Sequence, residues 1–228
     1  MRKSKILSVI IFGSTARGER DVYSDIDVCV IIDGELDSVE SVNIKQDVSL
    51  LYGFDQEEVV IYSSNQIDKM FEYRSLFLWH LKLEGNVLFD NGYFKNIANR
   101  LLKYDKHLIE LNYHAELLGD IILCLNKFNI VNELDLSQLF TICRNSCMIL
   151  AHFNGMFAFG RNSAFDVTSR IYNDLPINSE LYQYLLNWKL VYERGVALDM
   201  KIPSMQEFTN IITTTKRLLY FSIEKVSI

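Results

Sequence analysis

Asp25 and Asp27 stand two residues apart at the head of an apolar run, and a Gly13-Ser14 pair precedes them with ten residues between. Side chains two apart on an extended strand share a face, so both carboxylates point the same way. Two like charges held that close call for a cation. Magnesium suits the pair, being hard, oxygen-seeking and commonly held by one or two carboxylates together with substrate phosphates. The Gly13-Ser14 turn ends one apolar run and is expected to open a helix. Such a turn offers backbone N–H groups and a hydroxyl to phosphate oxygens, and its glycine permits close approach of the backbone. A third carboxylate is expected on a neighbouring strand, and Glu58 opens one. There it would bind a second metal ion or take the proton from an attacking hydroxyl. Glu57 faces the other way by the same alternation. Arg17 and Arg20 follow the turn and are either surface charges or phosphate contacts.

These residues need strands to position them. Ile6 to Phe12 is β-branched and apolar up to Gly13, the pattern of a central strand; Val28 to Ile32 is a second, stopped by Asp33-Gly34. The spacing of Val39, Val42, Ile44, Val48 and Leu51 predicts a helix over 38–51 that closes at Gly53. A third strand over 58–62 follows, then a helix capped by Ser63-Ser64 and running to Leu83, then a short strand at Val87-Leu88-Phe89 after the Gly85-Asn86 turn. From Tyr104 the pattern is helical alone. Leu108, Leu111, Ala115, Leu118, Ile122 and Leu125 alternate at three and four residues, a seam for packing on other helices. Further helices are expected near 136–153, 162–173, 179–194 and 205–224, so the second half reads as a helical bundle. The fold class is α+β: a small mixed-sheet domain over 1–103 and an all-α domain over 104–228.

With 23 Lys and Arg against 29 Asp and Glu, the net charge of −6 argues against non-specific coating of DNA. The four cysteines, at 29, 124, 143 and 147, show no CxxC or paired Cys/His spacing. They read as buried thiols in a reducing cytoplasm rather than a zinc site. The basic N-terminus followed by Ile6 to Phe12 only mimics a signal peptide, and no apolar run approaches the ~18 residues of a membrane span.

At Gly13-Ser14, Asp25-Ile26-Asp27 and Glu58 the chain resembles the DNA polymerase beta-type nucleotidyltransferase superfamily. The stretch Phe77 to Asp90 is similar to the helix-turn-strand that closes small members, with His80 read as a packing residue. The resemblance implies that Asp25 and Asp27 carry magnesium, two ions in all, that Ser14 holds the terminal phosphates of an NTP, and that Glu58 completes the acidic triad. The second half, at Leu139 to Arg144, Gly155, Arg161 to Ala164, Leu175-Pro176 and Trp188 to Tyr192, is similar to the helical domain of streptomycin/spectinomycin-type aminoglycoside adenylyltransferases. That resemblance implies ATP as donor, with Arg144 and Arg161 as phosphate contacts. Arg161 stands where a lysine is more usual, and the connection between the two basic positions is several residues longer. Glu133 and Asp135 lie near the place where such enzymes hold a cationic acceptor, Asp135 also being suited to cap a helix.

The leading expectation is NMP transfer from an NTP to a hydroxyl of a small molecule, protein or RNA. Alternatives are a catalytically weak nucleotide-binding regulator and a protein- or RNA-modifying nucleotidyltransferase of a toxin–antitoxin type. A ribonuclease built on Arg144 and His152 is disfavoured, since seven residues separate them and no strongly polar residue accompanies them.

Overall fold

The computed structural model describes residues 5–19 and 26–227. Arg20 and Asp25 therefore lie outside the described residues. The chain divides into two compact units, Met1–Asp105 and Lys106–Ile228.

The first unit is built on four strands, β1 (Ile6–Phe12), β2 (Asp27–Ile32), β3 (Val59–Ser63) and β4 (Asn86–Asp90), in the order β3-β2-β1-β4. β1 runs antiparallel to both β2 and β4, while β2 and β3 are parallel. A parallel neighbour requires a crossover, and helix α2 (Ser38–Tyr52) lies between β2 and β3 in the chain. It starts at Asp37, whose carboxylate accepts from the Glu40 amide, and stops at Gly53 in a left-handed conformation. The alternation of β2 sorts its side chains between two cores. Val28, Val30 and Ile32 join Ile6, Val9 and Val59 with Ile44 and Val48 of α2. Cys29 and Ile31 join Ile10 on the other face, with Ile67, Leu78, Leu81, Phe94 and Ile97. An irregularity in β1 between Ile6 and Ser8 lets Ile6 and Val9 share a face despite their odd spacing.

The expected helix from Ser64 to Leu83 is two helices, α3 (Ser64–Glu72) and α4 (Leu76–Glu84). Arg74 between them takes a left-handed φ of 63°, and Ser75 restarts the helix by accepting from the Phe77 amide. A short helix, α5 (Tyr93–Arg100), follows β4, with Asp90 accepting from the Phe94 and Lys95 amides.

The second unit contains α6 (His107–Phe128), α7 (Glu133–Phe153), α8 (Ser163–Ile171), α9 (Ser179–Arg194) and α10 (Met205–Val226). α7 is central: thirteen of its residues are buried, and its Leu139, Phe140, Ile142, Cys143 and Cys147 join the same core as α6, α8, α9 and α10. On α6 the buried stripe is Leu111, Leu118, Ile121 and Leu125, whereas Leu108, at the head of the expected seam, is 41% exposed. Cys29, Cys143 and Cys147 are buried thiols as expected, the first and second pushed up to about 12 by burial; Cys124 is exposed. Among the described residues, no helix is long and apolar enough to cross a membrane.

Candidate active site

β1 ends at Phe12, and the chain turns at once into α1 (Gly13–Ala16), a single helical turn. Gly13 is buried and left-handed, φ +70°, a conformation that costs a residue with a Cβ about 1–2 kcal/mol. The space is as restrictive as the backbone. A Cβ at Gly13 would lie 2.2 Å from Asp27 Oδ2, so the Asp27 carboxylate rests on the bare backbone of the turn. The sheet brings them together, since Asp27 opens β2 and pairs with Phe12, the residue before Gly13.

Glu58 arrives from the other side. Val59 pairs with Val28 in the parallel register, which sets Glu58 beside Asp27. Glu58 does not open β3 itself; it closes a 3-10 turn, Gln56–Glu58, and β3 begins one residue later. Both its oxygens are engaged by backbone, Oε1 by the Ile26 amide at 3.1 Å and Oε2 by the Asp55 amide at 2.9 Å. The first of these bonds fastens Glu58 to the residue between the two expected metal-binding aspartates. Asp25 itself lies outside the described residues, and no group of three His, Cys, Asp or Glu poised for a metal occurs among those described.

Ser14 is half-buried in the turn beside Gly13. Arg17, just past it, closes the turn through its own amide to the Gly13 carbonyl. Its guanidinium points back into the protein, with Nε donating to Glu19 at 2.7 Å and Nη1 to Glu84 at 2.6 Å. Burial works against the charge, but the two carboxylates outweigh it and hold the guanidinium above its ordinary pKa. Glu84 also lies 2.9 Å from His80 Nε2, one turn earlier on α4. Burial favours its neutral form, and the bonds to His80 and Arg17 reverse that, keeping Glu84 below the usual carboxylate range. His80 does pack, as expected, with its ring edge-on to Phe12 at 5.4 Å, and it also reaches Glu84.

In the second unit, Arg144 of α7 donates to the Phe159 carbonyl and to Asn145 Oδ1, the latter at 3.0 Å. The Phe159–Ser163 segment is fastened twice more: Gly160 N–H donates to Ser163 Oγ at 2.9 Å, and the Tyr182 hydroxyl to the Arg161 carbonyl at 2.6 Å. Arg144 and Arg161 thus belong to one hydrogen-bonded cluster at the start of α8. Asp135 is not the cap of α7. That role falls to Asn132, and the buried Asp135 carboxylate accepts from the Asn132 side-chain amide, burial raising its pKa. Glu133 is exposed. His152, at the end of α7, is buried against Phe157, with Nδ1 2.8 Å from His107 Nε2.

The family model described as polymerase beta, nucleotidyltransferase matches residues 1–91. Over these residues the chain is similar to polymerase beta nucleotidyltransferases. A solved structure of spectinomycin adenyltransferase AAD(9) from Enterococcus faecialis, with ATP and spectinomycin, superposes with a TM-score of 0.55 at 12% identity, covering 97% of this chain and 93% of that one. A mutant of the toxin-antitoxin MntA-HpeT matches 57% of this chain and 92% of its own, with a TM-score of 0.31 and 14% identity. No curated protein matches the sequence. The first match spans both units, so the fold, a mixed sheet with helices followed in the chain by helices alone, is shared with that structure.

Within the first unit, sequence reasoning passed over Glu84. The signal was partial: His80 and Glu84 are four apart, one turn of helix, but the Arg17 partner lies 67 residues away from Glu84 and only the fold joins them.

Proposed function

We propose that the chain transfers an NMP group from a Mg-bound NTP, ATP being the donor, to a hydroxyl of an acceptor molecule, with release of pyrophosphate. The observation that carries this is the Asp27 carboxylate seated on the Gly13 backbone with Glu58 beside it, within residues similar to polymerase beta nucleotidyltransferases. The donor set suits a hard divalent cation: Asp27 offers carboxylate oxygens in the space that the bare Gly13 leaves, Asp25 is the expected second ligand, and Glu58, each of whose oxygens already accepts one backbone amide, has only its remaining lone pairs to give. Magnesium bound there would offset phosphate charge and stabilise the attacking and leaving oxygens.

The chain's own residues do the rest. The Gly13-Ser14 turn presents N–H groups and a hydroxyl to the terminal phosphates. In the transfer the acceptor oxygen bonds to the α-phosphorus, the α–β anhydride breaks, and pyrophosphate leaves with the bonding electrons. The hydroxyl proton passes to a carboxylate, for which Glu58 is the candidate if it is not held as a metal ligand. Arg144 and Arg161 are the candidate phosphate contacts of the second unit, a planar guanidinium being suited to bidentate phosphate binding. The reading of residues 1–103 as the nucleotide-handling domain and 104–228 as its helical complement follows from these assignments.

Asp135 is a poor candidate for holding a cationic acceptor, because it is buried and its carboxylate is already bonded to Asn132. The test is transfer of label from α-labelled NTPs, with Mg²⁺, to aminoglycosides, protein and RNA ends. Label transfer with pyrophosphate release, lost in Asp27→Ala, supports the reading. Tight nucleotide binding with no pyrophosphate released on any acceptor supports a regulator, and no nucleotide binding at all refutes both.

A further inference from the structure

The guanidinium of Arg17 looks, from sequence, like a phosphate contact, yet it is turned away from solvent and gripped by two carboxylates of its own chain. Its side chain is 18% exposed, and those of Glu84 and His80 are 17% and 14% exposed. Three polar side chains this sheltered lose much of their hydration, and each short contact among them offsets that loss. The geometry connects parts with different duties. Arg17 caps the single-turn α1 through the Gly13 carbonyl, Glu84 is the last residue of α4, and His80 leans on Phe12, the residue that leads into Gly13. The end of α4 is itself fixed, since a Cβ on the next residue, Gly85, would meet the Leu81 carbonyl at 2.2 Å and Ile10 at 2.8 Å. α1 has only four residues, too few to hold its own shape by internal hydrogen bonds.

We propose that Arg17, Glu84 and His80 form a tie that holds the Gly13–Ala16 turn against α4, so that Arg17 acts on nucleotide binding by positioning the turn and does not itself contact phosphate. This rests on the reading of Gly13-Ser14 as the phosphate-binding turn. The two roles for Arg17 make opposite demands on Glu84. A phosphate ligand would be freed by losing its carboxylate partner, so Glu84→Gln would leave nucleotide affinity intact or improve it. A positioning residue would be disabled, so Glu84→Gln would act like Arg17→Met.

The test uses the full chain and two readouts. Hydrogen exchange of the amides over residues 13–18 reports the tie without any nucleotide, and calorimetry with Mg²⁺ and a non-hydrolysable ATP analogue reports its consequence. Glu84→Gln and Arg17→Met are each expected to speed exchange in the turn about tenfold, and to weaken the analogue about tenfold. The double variant is expected to be within about twofold of either single one, because both remove the Arg17–Glu84 bond and the remaining Arg17–Glu19 pair, with Glu19 59% exposed, contributes little. Arg17→Lys, which keeps the charge and loses the planar fork, is expected to speed exchange as well, and it serves if Glu84→Gln does not fold. Unchanged exchange in these variants overturns the tie. Loss of binding in Arg17→Met, with binding kept in Glu84→Gln, overturns it in favour of a phosphate ligand. A wild-type chain that binds no analogue overturns the phosphate reading of the turn, and the exchange rates then still decide whether the tie exists.

Discussion

Replacing Gly13 by alanine separates backbone strain from damage to the site, because the structure supplies a matched control. Gly13 and Gly53 have nearly the same left-handed φ, +70° and +76°. An added methyl at Gly53 would meet nothing within 4 Å, whereas at Gly13 it would lie 2.2 Å from Asp27 Oδ2 and 3.2 Å from its Cγ. Both substitutions incur the left-handed penalty of about 1–2 kcal/mol, visible as a lower midpoint in urea. Only Gly13→Ala also displaces a carboxylate. A carbon–oxygen contact needs more than 3 Å, so the Asp27 oxygen must move by about 1 Å, and misplacement on that scale costs about 10²-fold in turnover. Urea unfolding and a pyrophosphate-release assay, run on both variants, check the difference. Equal loss of activity in Gly13→Ala and Gly53→Ala would refute the role assigned to the Gly13–Asp27 contact.

Other substitutions probe neighbouring parts. Asp27→Asn, which keeps shape and removes charge, is expected to lower turnover at least about 10²-fold, with little change in urea midpoint. Ser63→Ala removes the hydroxyl that accepts from the Gln66 amide at the start of α3, and is expected to cost about 1 kcal/mol in unfolding without altering nucleotide affinity. Glu84 gives a pH signature. Its folded carboxyl sits below its ordinary value of 4.5, so it adds stability that is full above that pH and is lost as pH falls through the lower folded value. Unfolding midpoints measured from pH 6 downward should therefore fall more steeply in the wild type than in Glu84→Gln. Arg144→Met removes the bond to the Phe159 carbonyl, and limited proteolysis is expected to cut the 155–162 segment faster than in the wild type.

How far the sequence carried the reading depended on whether the interaction was local. β1 and β2 are legible because β-branched runs end in glycine or Asp-Gly, and the Gly13-Ser14 turn with its following aspartates is legible by residue type. The 3-10 turn before β3 had a readable signal too, Asp55 standing three residues before Glu58, whose side chain caps back to the Asp55 amide. The break between α3 and α4 was not legible, for Tyr73-Arg74-Ser75 contains neither glycine nor proline and Arg74 adopts the left-handed conformation unaided by type. Leu108 was not legible because periodicity does not say which face of α6 is covered at its start, where His107 packs on His152 and Leu108 is 41% exposed. The Arg17–Glu84 bond needed the fold itself, since it joins residues far apart in sequence through the packing of α4 on β1. Asp135 illustrates the converse: its type suggested a cation site or a helix cap, and its burial beside Asn132 supports neither.

A crystal of the full chain grown with Mn²⁺ and a non-hydrolysable ATP analogue would test most directly whether this domain gathers metal and phosphate at the turn. An anomalous peak within about 2.3 Å of an Asp27 carboxylate oxygen, with the terminal phosphates on the Gly13-Ser14 amides, is the predicted result. A bound analogue whose metal lies away from Asp27, or whose phosphates leave the turn untouched, would contradict it.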